Sequence, residues 1–327
     1  MNIKGKVIFI SALDWGLGHA TRCIPIVKQL SKDNVVILGV TPLTKLIFDE
    51  EFPNLQKVDI EPYSITYSKK LPLWLALLID SPRLFRVIKK ENEQLKHFIK
   101  QYNIDVVISD NRFGLSNESV FSVYVTHQLN IRAGAFSFIA NQIHHRFMKH
   151  FNEVWVPDFK DKAKRLAGNL SEQNDSIKVN YIGPQTRLNK SNVSSEKLFD
   201  YLFLLSGPEP HRTLLEKELL QLAQKHQHLK FMLVRGTRQQ LEVELPLNVT
   251  SIDVPRAEQL SGFIENSQKI ICRSGYSTLM DLYLLNNLNC ILIPTPSQTE
   301  QFYLAEYWNE KFGVKYYTQD KLNKLVL

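Results

Sequence analysis

Short apolar runs alternate with helical patterns along most of the chain. The runs at 6–12, 35–40, 104–109 and 201–205 have the length of buried strands, and a polar or glycine-containing turn follows each of them. Strands that alternate with helices in this way are typical of parallel sheets. The pattern therefore predicts an α/β protein made of two successive βα-rich halves.

The two halves are separated by a polar segment at 184–197 that lacks apolar periodicity, which we interpret as a linker. The predicted domains are residues 1–184 and 185–327. Further strands are predicted at 58–60, 122–126, 153–156, 181–182, 229–234, 250–253, 269–272, 289–293 and 314–317. Helices are predicted at 20–31, 72–101, 135–151, 211–226, 256–266, 276–287 and 298–311, and a further helix is predicted to begin at residue 42.

Residues 72–101 form one long predicted helix or a pair broken at Pro82. The first part, 73–79, is almost wholly apolar, and the second carries Arg83, Arg86, Lys89 and Lys90. An interior helix followed by a solvated one explains this pattern. An aromatic and basic patch that rests on a membrane surface also explains it.

Composition narrows the class of protein. The net charge is +7, but the basic residues are dispersed without a block that alternates with aromatics, so we do not expect nucleic acid as a partner. The three cysteines have no metal or redox spacing, which favours buried thiols in a reducing compartment and no metal site. No signal peptide or apolar run long enough to span a bilayer is visible, so a cytoplasmic location is predicted.

The first polar cluster follows the first strand. Gly16 and Gly18 would let the backbone approach a ligand closely, yet the spacing fits neither the dinucleotide fingerprint nor a Walker loop. His19 would lie at a helix N-terminus, where the helix dipole disfavours the imidazolium form. It could serve there as a general base, or it could simply cap the turn.

Two later strands of the first half also end in polar residues that could belong to a functional site. Asp110 could position an acceptor or the imidazole of His19, or it could cap its own loop. His127 is a candidate contact to an acceptor. The pair His144 and His145 lacks a further ligand at metal spacing, and we interpret it as surface or packing.

The second half repeats this arrangement of polar residues after strands. Ser206 and Gly207 could donate to phosphate oxygens, and Arg212 offers a two-pronged guanidinium. Arg235 follows another strand and would lie at the same edge of the sheet. An ordinary βα turn and a surface ion pair are the competing explanations.

Residues 270–301 form a predicted strand, turn, helix and strand. Ser274 and Gly275 lie where backbone N–H groups and a helix dipole would meet an anion. Thr278 and Asp281 are three residues apart and share one face of the helix, where a carboxylate could accept hydrogen bonds from a ribose diol. An ordinary core βαβ unit would give the same pattern.

Three motifs together resemble a known family. Gly-Leu-Gly-His at 16–19, Arg-Ser-Gly-Tyr-Ser-Thr-Leu-Met-Asp at 273–281 and Pro-Thr-Pro-Ser-Gln-Thr-Glu-Gln at 294–301 look like those of GT-B glycosyltransferases. The similarity is to the family of the peptidoglycan enzyme that adds N-acetylglucosamine to a lipid-linked acceptor, with its family 28 type of C-terminal domain. The resemblance implies two Rossmann-like domains with mainly parallel sheets that face a cleft. It also implies that the first domain binds acceptor and the second binds donor.

The resemblance also implies roles for individual residues. The reaction would be a metal-independent, inverting transfer from a nucleotide-diphosphate sugar, most commonly a UDP-sugar, without any other cofactor. His19 would lie between donor and acceptor as the base or as a positioning group. Asp281 would bind the ribose, Ser206, Gly207, Ser274 and Gly275 the diphosphate, and Gln298 and Gln301 the sugar. The acceptor would be a carbohydrate or a lipid-linked molecule at the inner face of the membrane, where the protein would attach peripherally.

Departures from the family pattern leave other functions open. The family usually has glutamate where this chain has Asp281, and the N-terminal turn has fewer glycines. The Gly-x-Gly-His-x-x-Arg spacing that ends at Arg22 also resembles nucleotide-sugar hydrolases of the same fold. A nucleotide-sugar hydrolase, a 2-epimerase and a non-catalytic nucleotide-sugar-binding protein are therefore the alternatives.

Overall fold

The chain forms two compact units in a computed structural model that describes residues 3–63, 81–173, 177–190, 197–241, 243–325 and 327. The first unit ends at Gln185 and the second continues from Thr186 to Leu327. This division lies one residue after the predicted boundary. The functions assigned to the two halves stay predictions.

The first unit is built on a seven-stranded sheet whose neighbouring strands are all parallel. Its strands are β1 (Val7–Ala12), β2 (Val35–Val40), β3 (Gln56–Asp59), β4 (Val106–Asp110), β5 (Phe121–Val125), β6 (Glu153–Val156) and β7 (Val179–Tyr181). Its described helices are α1 (Leu17–Leu30), α2 (Pro42–Glu51), α3 (Ser81–Tyr102) and α4 (Ser137–Met148). Short 3₁₀ turns occur at Gly134–Phe136 and Gly168–Ser171.

The order of this sheet is β3-β2-β1-β4-β5-β6-β7, so the direction of winding reverses between β1 and β4. In open α/β sheets ligands bind outside the carboxyl ends of the strands at such a reversal. Ala12 at the end of β1 pairs with Asp110 at the end of β4. The register therefore places the Gly-His turn and Asp110 side by side.

The second unit has a six-stranded parallel sheet in the order β10-β9-β8-β11-β12-β13. Its strands are β8 (Phe199–Leu204), β9 (Phe231–Val234), β10 (Val249–Ile252), β11 (Ser267–Cys272), β12 (Cys290–Leu292) and β13 (Lys315–Tyr316). Its described helices are α5 (His211–Lys225), α6 (Ala257–Glu265), α7 (Tyr276–Leu284) and α8 (Thr299–Phe312), and a 3₁₀ turn covers Gln319–Lys324. Leu204 pairs with Cys272, so the turns after β8 and β11 start next to each other at the second reversal.

Apolar burial explains why these segments take these positions. Ile8 and Ile10 of β1 are fully buried, and Ala20, Ile24 and Val27 of α1 pack against the same core. The helical residues recur at intervals of three and four, which forms the single apolar face that a helix needs to cover a sheet. The two-sided burial of the strands is typical of parallel sheets.

Several boundaries differ from the sequence expectations. Helix α1 begins at Leu17, three residues before its predicted start, because Gly16 with φ 129° ends the preceding turn. Pro82 lies in the first turn of α3, where proline is tolerated, so it does not break the described helix. The predicted apolar segment 73–79 lies outside the described residues. No helix in the described ranges is long and apolar enough to cross a membrane.

Candidate functional site

A buried charge cluster lies at the reversal point of the first sheet. His19 lies in the first turn of α1, and its Nδ1 is 2.6 Å from Oδ1 of Asp110. The Arg22 Nε donates to the other carboxylate oxygen at 2.5 Å, and Arg22 Nη2 donates to Oδ1 at 2.6 Å. Asp110 is completely buried, so these two partners replace the water that an exposed carboxylate would have.

The hydrogen-bond partners determine which nitrogen of His19 carries the proton. Asp110 can only accept, because the charge of Arg22, together with the charge and hydrogen bond of His19, outweighs burial and lowers the pKa of Asp110 to about 2. Arg22 Nη2 also lies 2.9 Å from His19 Nδ1, but Nδ1 is closer to the carboxylate, at 2.6 Å, and Nη2 donates to that same carboxylate oxygen. His19 Nδ1 therefore carries the proton and donates to Asp110, and the lone pair of the neutral ring is on Nε2. This is the arrangement that a histidine general base requires.

Burial and the neighbouring guanidinium keep His19 neutral. Burial lowers the pKa of His19, and the charge of Arg22 lowers it further, while Asp110 acts in the opposite direction with a smaller effect. The resulting pKa lies below the usual value of 6.5. At neutral pH the imidazole is therefore ready to accept a proton.

Arg22 connects this cluster to His127. Its Nη1 lies 3.0 Å from Nδ1 of His127, and since the guanidinium only donates, that ring nitrogen accepts. In the sequence, Arg22 is distinguished only by its spacing from His19, and residues three apart on a helix share one face. That spacing was the available signal for its part in the site.

The two histidines of α4 hold the loop that carries His127. His144 Nε2 lies 2.9 Å from the carbonyl oxygen of Gln128, and His145 Nε2 lies 2.9 Å from that of Leu129. Burial lowers the pKa of His144 to about 4, so it is neutral and donates from Nε2. No group of three or more potential metal-ligand side chains occurs in the ranges that the structure describes.

A second buried ion cluster supports the turn after β1. Arg112 is fully buried, its Nε donates to Glu91 of α3, and its Nη1 lies 3.6 Å from Asp14 Oδ1. The hydroxyl of Tyr63 donates to Glu91 at 2.8 Å, and its ring lies 4.7 Å from the guanidinium carbon. Sequence analysis missed this cluster, because its members come from four separate segments.

The turn after β8 places Ser206 and Gly207 at the reversal of the second sheet. Gly207 has φ 98°, a conformation that favours glycine. Gly236 in the neighbouring turn has φ 67°, and a Cβ there would lie 2.6 Å from the Leu205 carbonyl oxygen. The backbones of the two turns therefore approach each other more closely than another residue at Gly236 would allow.

Carboxylates hold both arginines that were predicted to bind the donor. Arg212 Nε donates to Glu209 at 2.5 Å, and its Nη1 lies 3.1 Å from Glu216. Arg235 Nε donates to the same Glu216 at 2.7 Å, and its Nη1 donates to Asp253 at 2.8 Å. Both arginines are buried, so Arg235 is not the surface ion pair that was considered. Their contacts describe a structural network, while donor binding by either residue stays a prediction.

Arg273 is the buried cation of the second sheet that carbonyl and amide oxygens surround. Its Nη2 donates to the His211 carbonyl at 2.8 Å and to Gln319 Oε1 at 2.9 Å. Its Nη1 donates to the carbonyls of Ile293 and Pro294, both at 3.2 Å. Burial lowers the pKa of Arg273 to about 10, so it stays charged at neutral pH. It joins the ends of β11 and β12 to the start of α5.

The remaining polar residues of 270–301 shape two turns. Gly275 is the N-cap of α7, where no side chain caps the helix, and the Ser274 hydroxyl donates to the Gln301 carbonyl at 2.7 Å. The Gln301 side chain is buried and accepts from the backbone and hydroxyl of Thr295, both at 2.9 Å. Its amide donates to the side-chain oxygen of Gln298 at 2.7 Å, and Gln298 is the more exposed of the two glutamines.

Asp281 lies on α7 with part of its surface exposed, one helical turn after the half-buried Thr278. Its Oδ1 accepts a hydrogen bond of 2.5 Å from the hydroxyl of Thr186. Burial of the carboxyl group raises the pKa of Asp281 to about 7, although the Thr186 bond and the charge of Arg187 oppose the shift. Sequence analysis missed Thr186 and Arg187 because it assigned them to the linker.

The comparisons with known proteins agree with this architecture. Residues 206–327 match the glycosyltransferase family 28 C-terminal domain. A glycotransferase of kitacinnamycin has a TM-score of 0.64 at 13% identity, covering 99% of this chain and 88% of that chain. The spinosyn rhamnosyltransferase SpnG complexed with thymidine diphosphate has a TM-score of 0.63 at 13% identity, covering 95% and 86%. MurG of Acinetobacter baumannii has a TM-score of 0.53 at 14% identity, covering 97% and 88%.

The two parallel-sheet units and these likenesses define the fold class. The chain has the GT-B fold with two Rossmann-like domains, as predicted. The resemblance to the family of MurG-like enzymes is confirmed by the family 28 match in the second half and by the MurG structure. No curated protein sequence matches the chain.

We expect Asp281→Asn to stabilise the protein above neutral pH. A carboxyl group with a folded pKa of about 7 contributes stability that is present below its ordinary pKa of 3.8 and is lost as the pH rises to about 7. Asparagine keeps an acceptor for Thr186 and does not titrate. The melting temperature of the variant should therefore exceed that of the wild type by several degrees at pH 8, and by less at pH 5.

Glu310→Gln is the matched control, since Glu310 is an exposed carboxylate in the same unit. Its melting temperature should follow that of the wild type at both pH values. A constant difference between Asp281→Asn and wild type across this pH range would contradict the assigned titration of Asp281.

Proposed function

We propose that the protein is a glycosyltransferase that moves a sugar from a nucleotide-diphosphate sugar, with UDP the expected nucleotide, to a hydroxyl group of an acceptor. The observation that carries this proposal is the His19–Asp110 pair at the reversal point of the first sheet. The family 28 match of the second half supports a nucleotide-sugar as co-substrate. Thymidine diphosphate in SpnG supports a nucleoside diphosphate as the donor part.

In the proposed reaction His19 Nε2 takes the proton of the acceptor hydroxyl. The acceptor oxygen then forms a bond to the anomeric carbon of the sugar from the face opposite the phosphate, and the bond from that carbon to the β-phosphate oxygen breaks. The sugar is inverted, and the nucleoside diphosphate leaves with the bonding electron pair. Asp110 stabilises the imidazolium that forms, since it accepts from Nδ1.

The donor would bind to the second unit. Backbone N–H groups at the turns of Ser206–Gly207 and Ser274–Gly275 would meet the diphosphate, and the start of α7 adds the positive end of a helix dipole. Arg273, one residue before Ser274, adds a buried positive charge that favours the leaving diphosphate. Asp281 would accept from the ribose hydroxyls, and Gln298 would contact the sugar.

The acceptor would bind to the first unit near Gly16, Gly18 and His127. We infer that it is lipid-linked, because the same unit has an exposed apolar surface next to basic side chains. Helix α4 exposes Phe138, Ile139 and Ile143, and Phe85 of α3 is 56% exposed with its ring 6.3 Å from that of Phe147. Arg83, Arg86, Lys89 and Lys90 of α3 are exposed as well. Aromatic and basic groups together suit the headgroup region of an anionic membrane, such as the inner leaflet.

Hydrolysis is the alternative reaction that the same cluster favours. His19 could remove a proton from water instead of an acceptor hydroxyl, and Arg22 completes the Gly-x-Gly-His-x-x-Arg spacing of nucleotide-sugar hydrolases. The products separate the possibilities. Free sugar without an acceptor indicates hydrolysis, an altered nucleotide-sugar indicates epimerisation, and binding without any product indicates a sensor.

Nucleotide binding is the first expected outcome. Among UDP, thymidine diphosphate and GDP, we expect UDP to raise the melting temperature of the wild type most, because a ligand that binds the native state stabilises it. UDP-sugars should then be converted to UDP faster when a lipid-linked sugar acceptor is present. If none of the three nucleotides shifts the melting temperature, the proposed function is wrong.

The pH dependence of turnover tests the role of His19. A base must be neutral to act, so kcat at saturating UDP-sugar, where titration of Asp281 does not limit binding, should fall as the pH falls through the pKa of His19, with a midpoint below 6.5. His19→Gln should reduce kcat by about 10²- to 10⁴-fold and leave the nucleotide-induced thermal shift intact. His228→Gln, at an exposed histidine of the second unit, is the control. Unchanged turnover in His19→Gln would remove His19 from the mechanism.

Vesicle binding tests the membrane surface. The wild type should co-sediment with vesicles of phosphatidylcholine and phosphatidylglycerol more than with phosphatidylcholine alone. Replacing Arg83, Arg86 and Lys89 by glutamine should abolish this difference, since each basic group near an anionic surface contributes about 1 kcal/mol. The control replaces the three exposed lysines Lys160, Lys164 and Lys225. Equal loss in both triple variants would show only a general charge effect and would contradict a dedicated surface.

A further inference from the structure

The chain segment that enters the second unit is fixed directly to the carboxylate of α7. Thr186 is the first residue of that unit after Gln185, and its hydroxyl lies 2.5 Å from Oδ1 of Asp281. The same hydroxyl oxygen accepts from the backbone N–H of Leu188 at 3.0 Å. The next residue, Arg187, donates from Nη2 to the carbonyl of Pro255 at 3.3 Å. Thr186 therefore contacts Asp281 directly, and Leu188 holds the Thr186 hydroxyl from behind.

These contacts determine the direction of the Thr186 hydrogen bond. The Thr186 oxygen accepts from Leu188, and an ionised carboxylate can only accept, so the hydroxyl donates its one proton to Asp281. Oδ1 of Asp281 is thereby occupied, and the described hydrogen bonds give Oδ2 no partner. A carboxylate held by one oxygen presents the other in a fixed direction, which is what recognition of a ribose hydroxyl requires.

The contact also affects the charge of Asp281. A hydroxyl that donates to a carboxyl group favours its ionised form, and so does the guanidinium of Arg187. Burial of the carboxyl group opposes both of these effects and is larger, which is why the pKa of Asp281 is raised to about 7. Loss of the Thr186 hydroxyl would leave a larger fraction of Asp281 protonated at neutral pH, and a protonated oxygen no longer accepts from a diol.

We propose that Thr186 is a positioning residue of the nucleotide site, whose hydroxyl orients the Asp281 carboxylate toward the ribose and keeps it an acceptor. The inference rests on the proposed function, because it assigns the ribose to Asp281. Residues 186–188, which follow the first unit directly, then form part of the nucleotide site instead of a passive linker. The shorter aspartate, where the related family has glutamate, is held in place by a side chain from outside α7.

Thr186→Val tests the proposal, because valine keeps the shape of threonine and removes the hydroxyl. Calorimetry with UDP should show roughly tenfold weaker binding than the wild type, the size expected for one hydrogen bond to a charged group. Binding of 2′,3′-dideoxy-UDP, which lacks both ribose hydroxyls, should be equal in wild type and variant. Thr186→Ser should restore UDP binding, because serine returns the hydroxyl.

The pH dependence distinguishes positioning from a purely structural role. The midpoint at which UDP affinity falls on acidification should move to higher pH in Thr186→Val, because Asp281 then loses a donor that favours its charge. In an Asp281→Asn background the same change should have no further effect on UDP affinity. Thr186→Ala provides a second variant without the hydroxyl if the valine protein does not fold, as judged by its melting transition.

The possible failures are separable. If the wild type binds UDP but Thr186→Val binds UDP equally well, or loses UDP and 2′,3′-dideoxy-UDP to the same extent, Thr186 does not act through the ribose contact and the inference is wrong. If the wild type binds none of UDP, thymidine diphosphate and GDP, the proposed function fails and the inference fails with it.

Discussion

The buried carboxylate of Asp110 is the interaction on which the first half depends. A charge with no solvent exposure at the end of a central strand must be stabilised by the protein. From one face of α1, Arg22 supplies the opposite charge and the neutral His19 supplies a hydrogen bond. Removal of one partner from such a buried pair typically costs about 3–5 kcal/mol. The same contacts that hold α1 against β4 therefore also orient the imidazole. Stability and chemistry at this position have one physical cause.

The buried arginines of the second half are stabilised in two different ways. Glu216 neutralises Arg212 and Arg235 at 3.1 and 2.7 Å, whereas the described contacts of Arg273 go to carbonyl and amide oxygens. Dipoles orient toward a cation without cancelling its charge. Glu218 attracts this charge but accepts its hydrogen bond from Gln319 instead of pairing directly with Arg273. The charge of Arg273 thus remains next to Ser274 and the start of α7, where both the helix dipole and the guanidinium favour an anion. Of these three arginines, Arg273 is therefore the one that electrostatics favours for attracting an anion, although Arg212 and Arg235 were the arginines predicted to bind the donor.

The success of sequence reasoning here depended on whether a feature was local. Apolar runs and glycine turns are encoded within about ten residues, so the parallel sheets and the position of the turns at 16–19, 206–207 and 274–275 could be predicted. The partners of side chains could not, since Arg22 and Asp110 are 88 residues apart and Thr186 and Asp281 are 95 apart. Arg235 illustrates the same limit. Its position after a strand predicted its place at the edge of the sheet. Its burial is explained only by Glu216 and Asp253, which the fold brings next to it.

A base that is neutral and oriented does not by itself decide between transfer and hydrolysis, because Nε2 of His19 would serve an alcohol and water equally. Transfer requires that water be kept from the anomeric carbon, so the choice depends on the acceptor half and on how rigidly it presents its surface. The turn that precedes His19 is fixed by Arg112, which contacts Asp14 on one side and Glu91 of α3 on the other. Helix α3 also carries Phe85 and the exposed basic residues. Contacts through Glu91, Arg112 and Asp14 therefore link the helix proposed to receive a lipid-linked acceptor to the turn that precedes the proposed base.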